Sequence, residues 1–420
     1  MRSRLVRAGC SGIAVLIALL SAAAVDMRAE APRSGSWTGT WSAAMAPGGT
    51  TAARGLRDIT LRQIVHVSLG GERVRLRISN AYGTAPLTVG AVTVAPGGFS
   101  QLTAAGAETD PGPGSSPQVD PVALRPVSFG GAASLVVPAG AEWLSDPVEL
   151  SVAPNSDLVV SMYLPGVTGE VTWHASGRAT SYRADGDATA DSGAQFTPLG
   201  TARYFLAGVD VISRARGSVV FFGDSLTDGV GTTVDANRRY PDHVADRLLA
   251  LPEAQQCGVL NAGISGNMLL ADAGRWGAAA PARFPREVLA RSDVRTVVLL
   301  HGINDIGRSR GAVTADALIS GYRQLIAAAH DADIRIFGAT LLPYEGSRYF
   351  SAEGEAVRLA VNAWIRTSGE FDAVVDLDAT LRDPAQPARL SPQFHVGDHL
   401  HLNDMGSRTA AGVFELSALC

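Results

Sequence analysis

A serine that comes three residues after the end of a short apolar run is a residue with the potential for chemistry. The run 219–222 has the length of a strand, and Gly223, Asp224 and Ser225 come next. Ligands of open parallel sheets bind at the carboxyl ends of the strands, so a serine at this point can act as a nucleophile. An ordinary strand followed by an Asp/Ser turn gives the same pattern, so the serine alone does not identify a site.

Three later segments carry other groups that a serine hydrolase requires. Segment 261–267 contains two glycines, which allow close backbone approach to a ligand and leave N–H groups free to point at it. Asn304, in the loop predicted after the third strand, has a side-chain amide that can reach a developing oxyanion. Asp398 precedes His401 by three residues, so its carboxylate can orient the imidazole as a base.

The elements that would position these groups alternate between short strands and helices. The predicted strands are 218–222, 259–261, 296–300, 334–339 and 373–376, and the predicted helices are 240–251, 286–291, 314–331, 351–370 and 404–419. Apolar strands separated by helices are typical of a parallel sheet covered on both faces. Five such strands predict a flavodoxin-like doubly wound parallel sheet in a domain spanning 216–420, after the polar link 213–217.

The preceding part, 33–212, has the pattern of an all-β domain. Residues 73–78 alternate strictly between arginine and aliphatic side chains, and Gly70-Gly71 links them to the run 59–69 as a hairpin. Further strands are predicted at 87–94, 133–137, 157–164 and 170–174, with a loop at 111–117. This pattern predicts a β-sandwich or jelly roll. No residue of this part has a spacing that indicates chemistry.

The N-terminal segment 1–31 is typical of a secretory signal peptide. Three arginines precede the apolar run 13–25, which is too short for a comfortable membrane span. Both Ala29-Glu30-Ala31 and Ala22-Ala23-Ala24 fit a small-residue cleavage site, and retention as an uncleaved anchor is the alternative. We expect a secreted or extracytoplasmic protein, in the periplasm or at the cell surface, without stable membrane insertion after cleavage.

The amino-acid composition excludes some classes of function. All 35 basic residues among the 420 are arginine, so lysine Schiff-base chemistry and a phosphate-binding P-loop are excluded. The net charge of −5, without a basic cluster after the N-terminus, argues against nucleic acid as a partner. Cys257 and Cys420 can pair in an oxidising compartment, and the sequence leaves that pairing open.

Residues 218–406 resemble the SGNH hydrolases, also called the GDSL esterase/lipase family. The matching residues, in the family's order, are Gly223-Asp224-Ser225-Leu226, Gly266, Asn304 and the pair Asp398 and His401. The β-rich first part resembles a secreted two-domain branch whose members are described as carbohydrate esterases and lipases. His301 departs from that branch, where an acidic residue is expected.

The resemblance implies a serine esterase with a Ser225–His401–Asp398 triad that forms an acyl-enzyme. The N–H groups of Ser225 and Gly266 and the amide of Asn304 would form the oxyanion hole, and no metal or organic cofactor is required. We expect the substrate to be a short acyl ester, in particular an acetyl ester, of a small molecule or polysaccharide. The alternatives are a lipase or lysophospholipase acting on lipid esters, and a secreted glycan-binding protein without catalysis.

Two other interpretations come from the residues themselves. Ser309, within 307–311, fits the serine-flanked-by-glycines pattern of α/β-hydrolases, although it lies well past the predicted strand end. A metal site could instead use the clustered ligands His395, Asp398, His399 and His401.

Overall fold

The computed structural model describes residues 35–49, 55–97, 101–102, 108–109, 118–310 and 312–420. The predicted signal peptide 1–31 and the predicted loop 111–117 therefore lie outside the described residues. Within the described ranges, no helix has the length and apolar character needed to cross a membrane.

The first part of the chain consists of short strands. They are β1 (Ser36–Ser42), β2 (Ala46–Pro47), β3 (Ile59–Val67), β4 (Gly71–Ser79), β5 (Leu87–Val89), β6 (Ala91–Pro96), β7 (Gln101–Leu102), β8 (Glu108–Thr109), β9 (Arg125–Pro126), β10 (Leu135–Val137), β11 (Glu142–Leu144), β12 (Val148–Val152), β13 (Ser156–Leu164), β14 (Thr172–His174), β15 (Ser181–Asp185), β16 (Thr197–Gly200), β17 (Arg203–Tyr204) and β18 (Leu206–Ser213). A short 3₁₀ turn at Pro121–Ala123 accompanies them.

Two larger antiparallel sheets dominate this part. One has the order β1-β18-β4-β11, with β12 also paired to β4, and the other has the order β16-β15-β3-β13-β6-β9. In β4 the predicted alternation holds, because Val74, Leu76 and Ile78 are buried. Their side chains share one apolar core with residues of β3 and β13 from the other sheet. The β-rich character is confirmed, and the choice between sandwich and jelly roll stays a prediction.

The second part is built on a parallel sheet. Its strands are β19 (Ser218–Gly223), β20 (Gly258–Gly263), β21 (Val294–Leu300), β22 (Arg335–Ala339) and β23 (Ala373–Val375). The order is β20-β19-β21-β22-β23, with every pairing parallel. This is the 2-1-3-4-5 order of flavodoxin-like sheets, and it places the carboxyl ends of the strands at one edge.

Helices follow these strands. They are α1 (Ser225–Asp228), α2 (Tyr240–Leu249), α3 (Ala280–Phe284), α4 (Ile303–Ser309), α5 (Ala315–His330), α6 (Ala352–Thr367), α7 (Leu377–Leu381), α8 (Asp404–Gly412) and α9 (Leu416–Leu419). Single-turn elements lie at Glu253–Gln255, Gly274–Trp276, Pro285–Leu289 and Pro392–Phe394.

Three helix predictions need correction. The predicted helix 286–291 is a π-helical turn, Pro285–Leu289, that continues α3. The predicted helix 404–419 is two helices, because α8 ends at Gly412, a residue with low helix propensity. The loop predicted at 302–305 is instead the start of α4, for which Gly302 at φ 120° makes the turn out of the strand.

The two parts of the chain pack tightly, and the described residues fall within one compact unit. Strand β1 lies against β20, where a Cβ added to Gly258 would collide with the Gly39 carbonyl oxygen. The backbone N–H of Val259 donates to Ser68 Oγ at 2.9 Å, which adds a hydrogen bond at the same seam. Cys257 and Cys420 form a disulfide, so the pairing that the sequence left open is present.

Candidate active site

Ser225 is the first residue of α1, directly after strand β19. The carboxylate of Asp224 caps this helix by accepting a hydrogen bond from the backbone N–H of Leu226 at 3.1 Å. The helix ends after one turn, because Gly229 adopts the left-handed conformation at φ 90°. The short helix holds Ser225 at the strand end, where only 6% of its surface is exposed.

His401 and Asp398 lie beside this serine. Oγ of Ser225 is 2.9 Å from Nε2 of His401, and Nδ1 of His401 is 2.6 Å from Oδ2 of Asp398. The other carboxylate oxygen accepts the backbone N–H groups of Leu400 at 3.0 Å and His401 at 2.9 Å. Burial would raise the pKa of Asp398, but these hydrogen bonds outweigh it and lower the pKa. The carboxylate therefore stays ionised against the imidazole.

The loop after β20 runs alongside α1. The backbone N–H of Ser265 donates to Oδ2 of Asp228 at 2.9 Å, and its hydroxyl donates to the same oxygen. The next residue, Gly266, has φ 78°, a conformation that favours glycine. The N–H groups of Ser225 and Gly266 have no acceptor within the part of the chain that the structure describes. Both donors are thus available to a ligand.

Asn304 lies in the first turn of α4 and faces the same loop. Its amide Nδ2 donates one hydrogen bond to the carbonyl oxygen of Asn267 at 3.0 Å, which orients the second N–H. On the same helix, the carboxylate of Asp305 accepts the N–H groups of Leu269 at 2.8 Å and Leu270 at 2.9 Å. These bonds fix α4 against the loop after β20. The fold therefore brings Ser225, His401 and Asp398 into direct contact, with Gly266 on the loop that binds α1 and Asn304 on the helix that binds this loop.

Arg283 is a buried residue of this region that the sequence analysis missed. Its Nη2 donates to the carbonyl oxygen of Gly223 at 2.6 Å, and its Nη1 donates to that of Ala262 at 2.8 Å. Its Nε donates to Oδ1 of Asn267 at 2.8 Å, and its guanidinium lies 3.9 Å from the ring centroid of Phe222. Burial lowers the pKa of Arg283 to about 10, so the side chain remains a cation at neutral pH. One guanidinium thus connects the ends of β19 and β20 to the loop beyond them.

His301, the residue that departs from the expected branch, belongs to the same cluster. Its Nε2 lies 3.0 Å from Oδ1 of Asn267, and the ring is buried against Phe222. Burial, and then the charge of Arg283, hold the pKa of His301 well below its usual range. The ring is therefore neutral, with Nε2–H donating to Asn267. The Asn267 side chain is then fully used, because its amide N–H groups donate to Trp276 and Ala278 carbonyl oxygens at 2.8 Å each.

A second charged residue that the sequence analysis did not single out for chemistry comes from the β-rich part. His174 at the end of β14 is buried, and its Nε2 is 2.9 Å from Oδ1 of Asp228. Its Nδ1 is 2.8 Å from the Ala44 carbonyl oxygen. Burial would lower the pKa of His174, but the charge and hydrogen bond of Asp228 raise it overall. No motif marks His174, since its partner is a residue of the other half of the chain.

The structure also bears on the two alternative sites. Ser309 is the last residue of α4, which corrects its placement in a loop, and its hydroxyl donates to the Ile306 carbonyl oxygen at 3.1 Å. It has no histidine partner among the described residues. Nδ1 of His395 accepts the N–H groups of Gly397 at 3.0 Å and His399 at 3.3 Å, so this nitrogen is occupied. The residues that the structure describes contain no group of three or more His, Cys, Asp or Glu arranged for a metal ion.

Residues 221–409 match the GDSL-like lipase/acylhydrolase family. This part of the chain is therefore a GDSL-type hydrolase domain, of a class that comprises esterases and lipases. The parallel sheet of this part agrees with that class. No curated protein matches the chain.

Several solved structures are similar to about half of the chain. A GDSL-like lipase from Bacteroides thetaiotaomicron is 19% identical, with 47% of this chain and 84% of that chain covered and a TM-score of 0.36. An acetyl xylan esterase is 23% identical, with 48% of this chain and 100% of that chain covered and a TM-score of 0.36. An α/β hydrolase from the metagenome of Lake Arreo, Spain, is 22% identical, with 49% and 97% coverage and a TM-score of 0.37.

Proposed function

We propose that the protein is a secreted serine esterase in which Ser225, His401 and Asp398 form the catalytic triad. The observation that carries this proposal is the continuous chain of contacts from Ser225 Oγ to His401 Nε2 at 2.9 Å and from His401 Nδ1 to Asp398 Oδ2 at 2.6 Å. A serine hydroxyl is a weak nucleophile by itself and needs a neutral base within hydrogen-bond reach. An ionised carboxylate on the far nitrogen keeps the proton there and leaves Nε2 free to accept.

The reaction then proceeds in two acyl transfers. Ser225 Oγ attacks the ester carbonyl carbon while His401 Nε2 takes the hydroxyl proton, and that proton passes to the departing alcohol. Water next attacks the acyl-enzyme, His401 takes a proton from the water, and the acid leaves as Ser225 regains its proton. The protein's own side chains supply every proton transfer.

The negative charge that develops on the carbonyl oxygen requires donors that are already in place. The N–H groups of Ser225 and Gly266, both without an acceptor among the described residues, and the second amide N–H of Asn304 would supply three. Arg283 holds the segments that carry these donors by donating to the Gly223 carbonyl oxygen and to Asn267 Oδ1. Asn267 in turn accepts the amide of Asn304 through its carbonyl oxygen. We infer that these two residues position the oxyanion hole without contacting the substrate.

For the substrate, we propose short acyl esters, in particular acetyl esters of carbohydrates. The predicted signal peptide would deliver the enzyme to a compartment where polymeric glycans are accessible. The β-rich part is predicted as a sandwich or jelly-roll domain over 33–212 ahead of the hydrolase domain, and domains of that kind commonly accompany the catalytic domains of glycan-acting enzymes. Ser265, Gly266 and Asn267, which precede Met268, offer little apolar surface for a long acyl tail.

One observation favours lipid esters as the second candidate. Val234, Val396 and Met405 are 37%, 50% and 58% exposed, and they lie on the two segments around His401. These segments touch each other, because the N–H of Thr233 donates to Oδ1 of Asp404 at 2.8 Å. Exposed apolar side chains beside a catalytic histidine can receive an acyl chain.

A chain-length series separates these candidates. The specificity constant kcat/KM is measured for p-nitrophenyl esters from acetyl to palmitoyl, together with acetate release from acetylated xylan. The carbohydrate esterase predicts a maximum at acetyl and free acetate from the polymer. A maximum at the long chains, lowered by Met405→Ser and accompanied by no acetate release, would establish the lipase alternative. If the protein hydrolyses none of these esters, the remaining interpretation is a secreted glycan-binding protein without catalysis.

A further inference from the structure

Arg308 lies next to the glycine that we assign to the oxyanion hole. It follows Asn304 by one helical turn on α4, so both side chains extend from the same face. A Cβ added to Gly266 would come within 2.8 Å of Nη2 of Arg308 and within 2.9 Å of the Trp276 ring. The guanidinium in turn lies 4.1 Å from the centroid of the Trp276 ring. Arg308, Trp276 and Gly266 therefore form one surface beside Asn304.

The charge of Arg308 has no counter-ion in this surface. Within the described residues it has no ion pair and no hydrogen bond to a carboxylate, although it is only half-buried. The nearest acid on its helix, Asp305, uses both carboxylate oxygens for the N–H groups of Leu269 and Leu270. Burial raises the pKa of Asp305, and the charge of Arg308 partly opposes that rise. The Arg308 guanidinium nevertheless makes no direct hydrogen bond to the Asp305 carboxylate.

A second cation lies at the same indole. The guanidinium of Arg275 is 4.5 Å from the centroid of Trp276, its side chain is exposed, and it too lacks an ion pair within the described ranges. Some arginines of the fold form ion pairs, such as Arg239 with Asp242 and Arg358 with Asp378, each at 2.8 Å. Arg308 and Arg275 thus place two guanidinium groups without an ion pair at one indole ring, in a chain whose net charge is −5.

Stacking on the indole restrains a guanidinium while leaving the N–H groups at its edge free. That planar edge matches the two oxygens of a carboxylate and can donate to both. We propose that Arg308, supported by Arg275 on Trp276, binds a carboxylate of the substrate, so that the preferred esters carry a negative charge near the reacting carbonyl. The inference rests on the proposed esterase function and specifies its substrate class as acidic esters.

The carboxylate can belong to either side of the ester. On the acyl side it would be the free end of a dicarboxylic half-ester, and on the alcohol side it would belong to an acidic alcohol such as an acetylated sugar acid. A carboxylate on either side would bind Arg308 in the same way, and two pairs of substrates distinguish the acyl side from the alcohol side. The acyl pair is mono-p-nitrophenyl succinate and its neutral methyl ester; the alcohol pair is 4-acetoxybenzoate and its neutral methyl ester.

The measured quantity is the ratio of kcat/KM for the charged ester to kcat/KM for its neutral partner. The wild-type ratio should exceed one in at least one pair, and Arg308→Gln should lower it roughly tenfold to a hundredfold, the range of a hydrogen bond to a charged group. Arg308→Glu should lower it further, and Arg275→Gln should lower it less. Arg310→Gln is the matched control, because Arg310 is an exposed arginine only two residues further along the chain, and it should keep the wild-type ratio.

A ratio that stays unchanged in both pairs on Arg308→Gln would overturn the inference, as would a wild-type enzyme without preference for charge. Equal losses on charged and neutral esters would do the same, since they would assign Arg308 to the oxyanion or to folding. Failure of the proposed esterase function gives a different result. In that case no ester, charged or neutral, would be hydrolysed in a reaction that depends on Ser225.

Discussion

Nε2 of His174 lies 2.9 Å from Oδ1 of Asp228, inside the seam between the β-rich part and the hydrolase domain. The other ring nitrogen faces the carbonyl oxygen of Ala44, so both nitrogens meet acceptors and the imidazolium form is favoured. Asp228 is the last residue of the short helix that begins with Ser225, and it also binds Ser265. The pair therefore connects the β-rich part to the two segments on which the proposed nucleophile and oxyanion hole depend.

The stability contributed by this pair should depend on pH. The raised pKa of His174 means that the contribution is fully present below the unfolded value of about 6.5 and is lost as the pH rises through the folded value. His174→Gln should therefore lower the urea-unfolding free energy more at mildly acidic than at alkaline pH. His330→Gln is the control, since His330 forms an exposed pair with Asp372 that should contribute at most about 1 kcal/mol. An equal penalty at both pH values would contradict the charged pair.

Arg283 should matter for turnover more than for substrate binding. Arg283→Met leaves the carbonyl oxygens of Gly223 and Ala262 without their donor and releases Asn267. A displacement of about 1 Å in the oxyanion donors can cost roughly 10²-fold, so kcat should fall by about that factor with KM nearly constant. Arg323→Met, which removes an exposed guanidinium bound to Glu370, should change neither constant. A rise in KM at constant kcat in Arg283→Met would instead place Arg283 in substrate binding.

Asn304→Ala should remove one oxyanion donor without disturbing the nucleophile. The expected loss is about 10²–10³-fold in kcat, with little change in KM, because the donor acts on charge present mainly in the transition state. Thermal unfolding checks that the fold is retained, since Asn304 also binds the Asn267 carbonyl oxygen. If the mutant loses only substrate affinity, Asn304 contacts the ground-state substrate and is not an oxyanion donor.

Inhibitors should separate serine chemistry from the alternative metal site. A serine-directed phosphonate or sulfonyl fluoride should abolish the activity and add its mass to the peptide that contains Ser225. EDTA should leave the activity unchanged, because the triad supplies the nucleophile and the proton transfers. Activity that disappears in EDTA and returns with zinc would assign the chemistry to the cluster of His395, Asp398, His399 and His401 instead.

The candidate site could be proposed from the sequence because each of its groups belongs to a short local pattern. Ser225 follows an apolar strand, and Asp398 lies within reach of His401 along the chain, so both could be placed from spacing. The strands of the parallel sheet were predicted within about two residues of their observed ends, since buried strands are continuous apolar runs. Helix α4 was missed because Gly302 and Gly307 resemble loop residues in the sequence.

The supporting residues could not be found in this way. Arg283 lies sixty positions from Gly223 in sequence and binds it only through the closure of the parallel sheet. His174 meets Asp228 across the seam between the two parts, and an isolated histidine in a strand pattern gives no signal of such a partner. Both are single polar residues whose role comes from tertiary packing, and neither has a motif.

The central claim is that Ser225 is the nucleophile, and turnover of a folded Ser225→Ala variant tests it most directly. Thermal unfolding first establishes that the variant folds, and kcat/KM on p-nitrophenyl acetate is then compared with the wild type and with Ser309→Ala. Triad substitutions in serine hydrolases lower turnover by about 10⁴–10⁶-fold, and we expect a loss of that size for Ser225→Ala and wild-type activity for Ser309→Ala. A loss below about tenfold in folded Ser225→Ala would contradict the account, because it would remove Ser225 from the reaction.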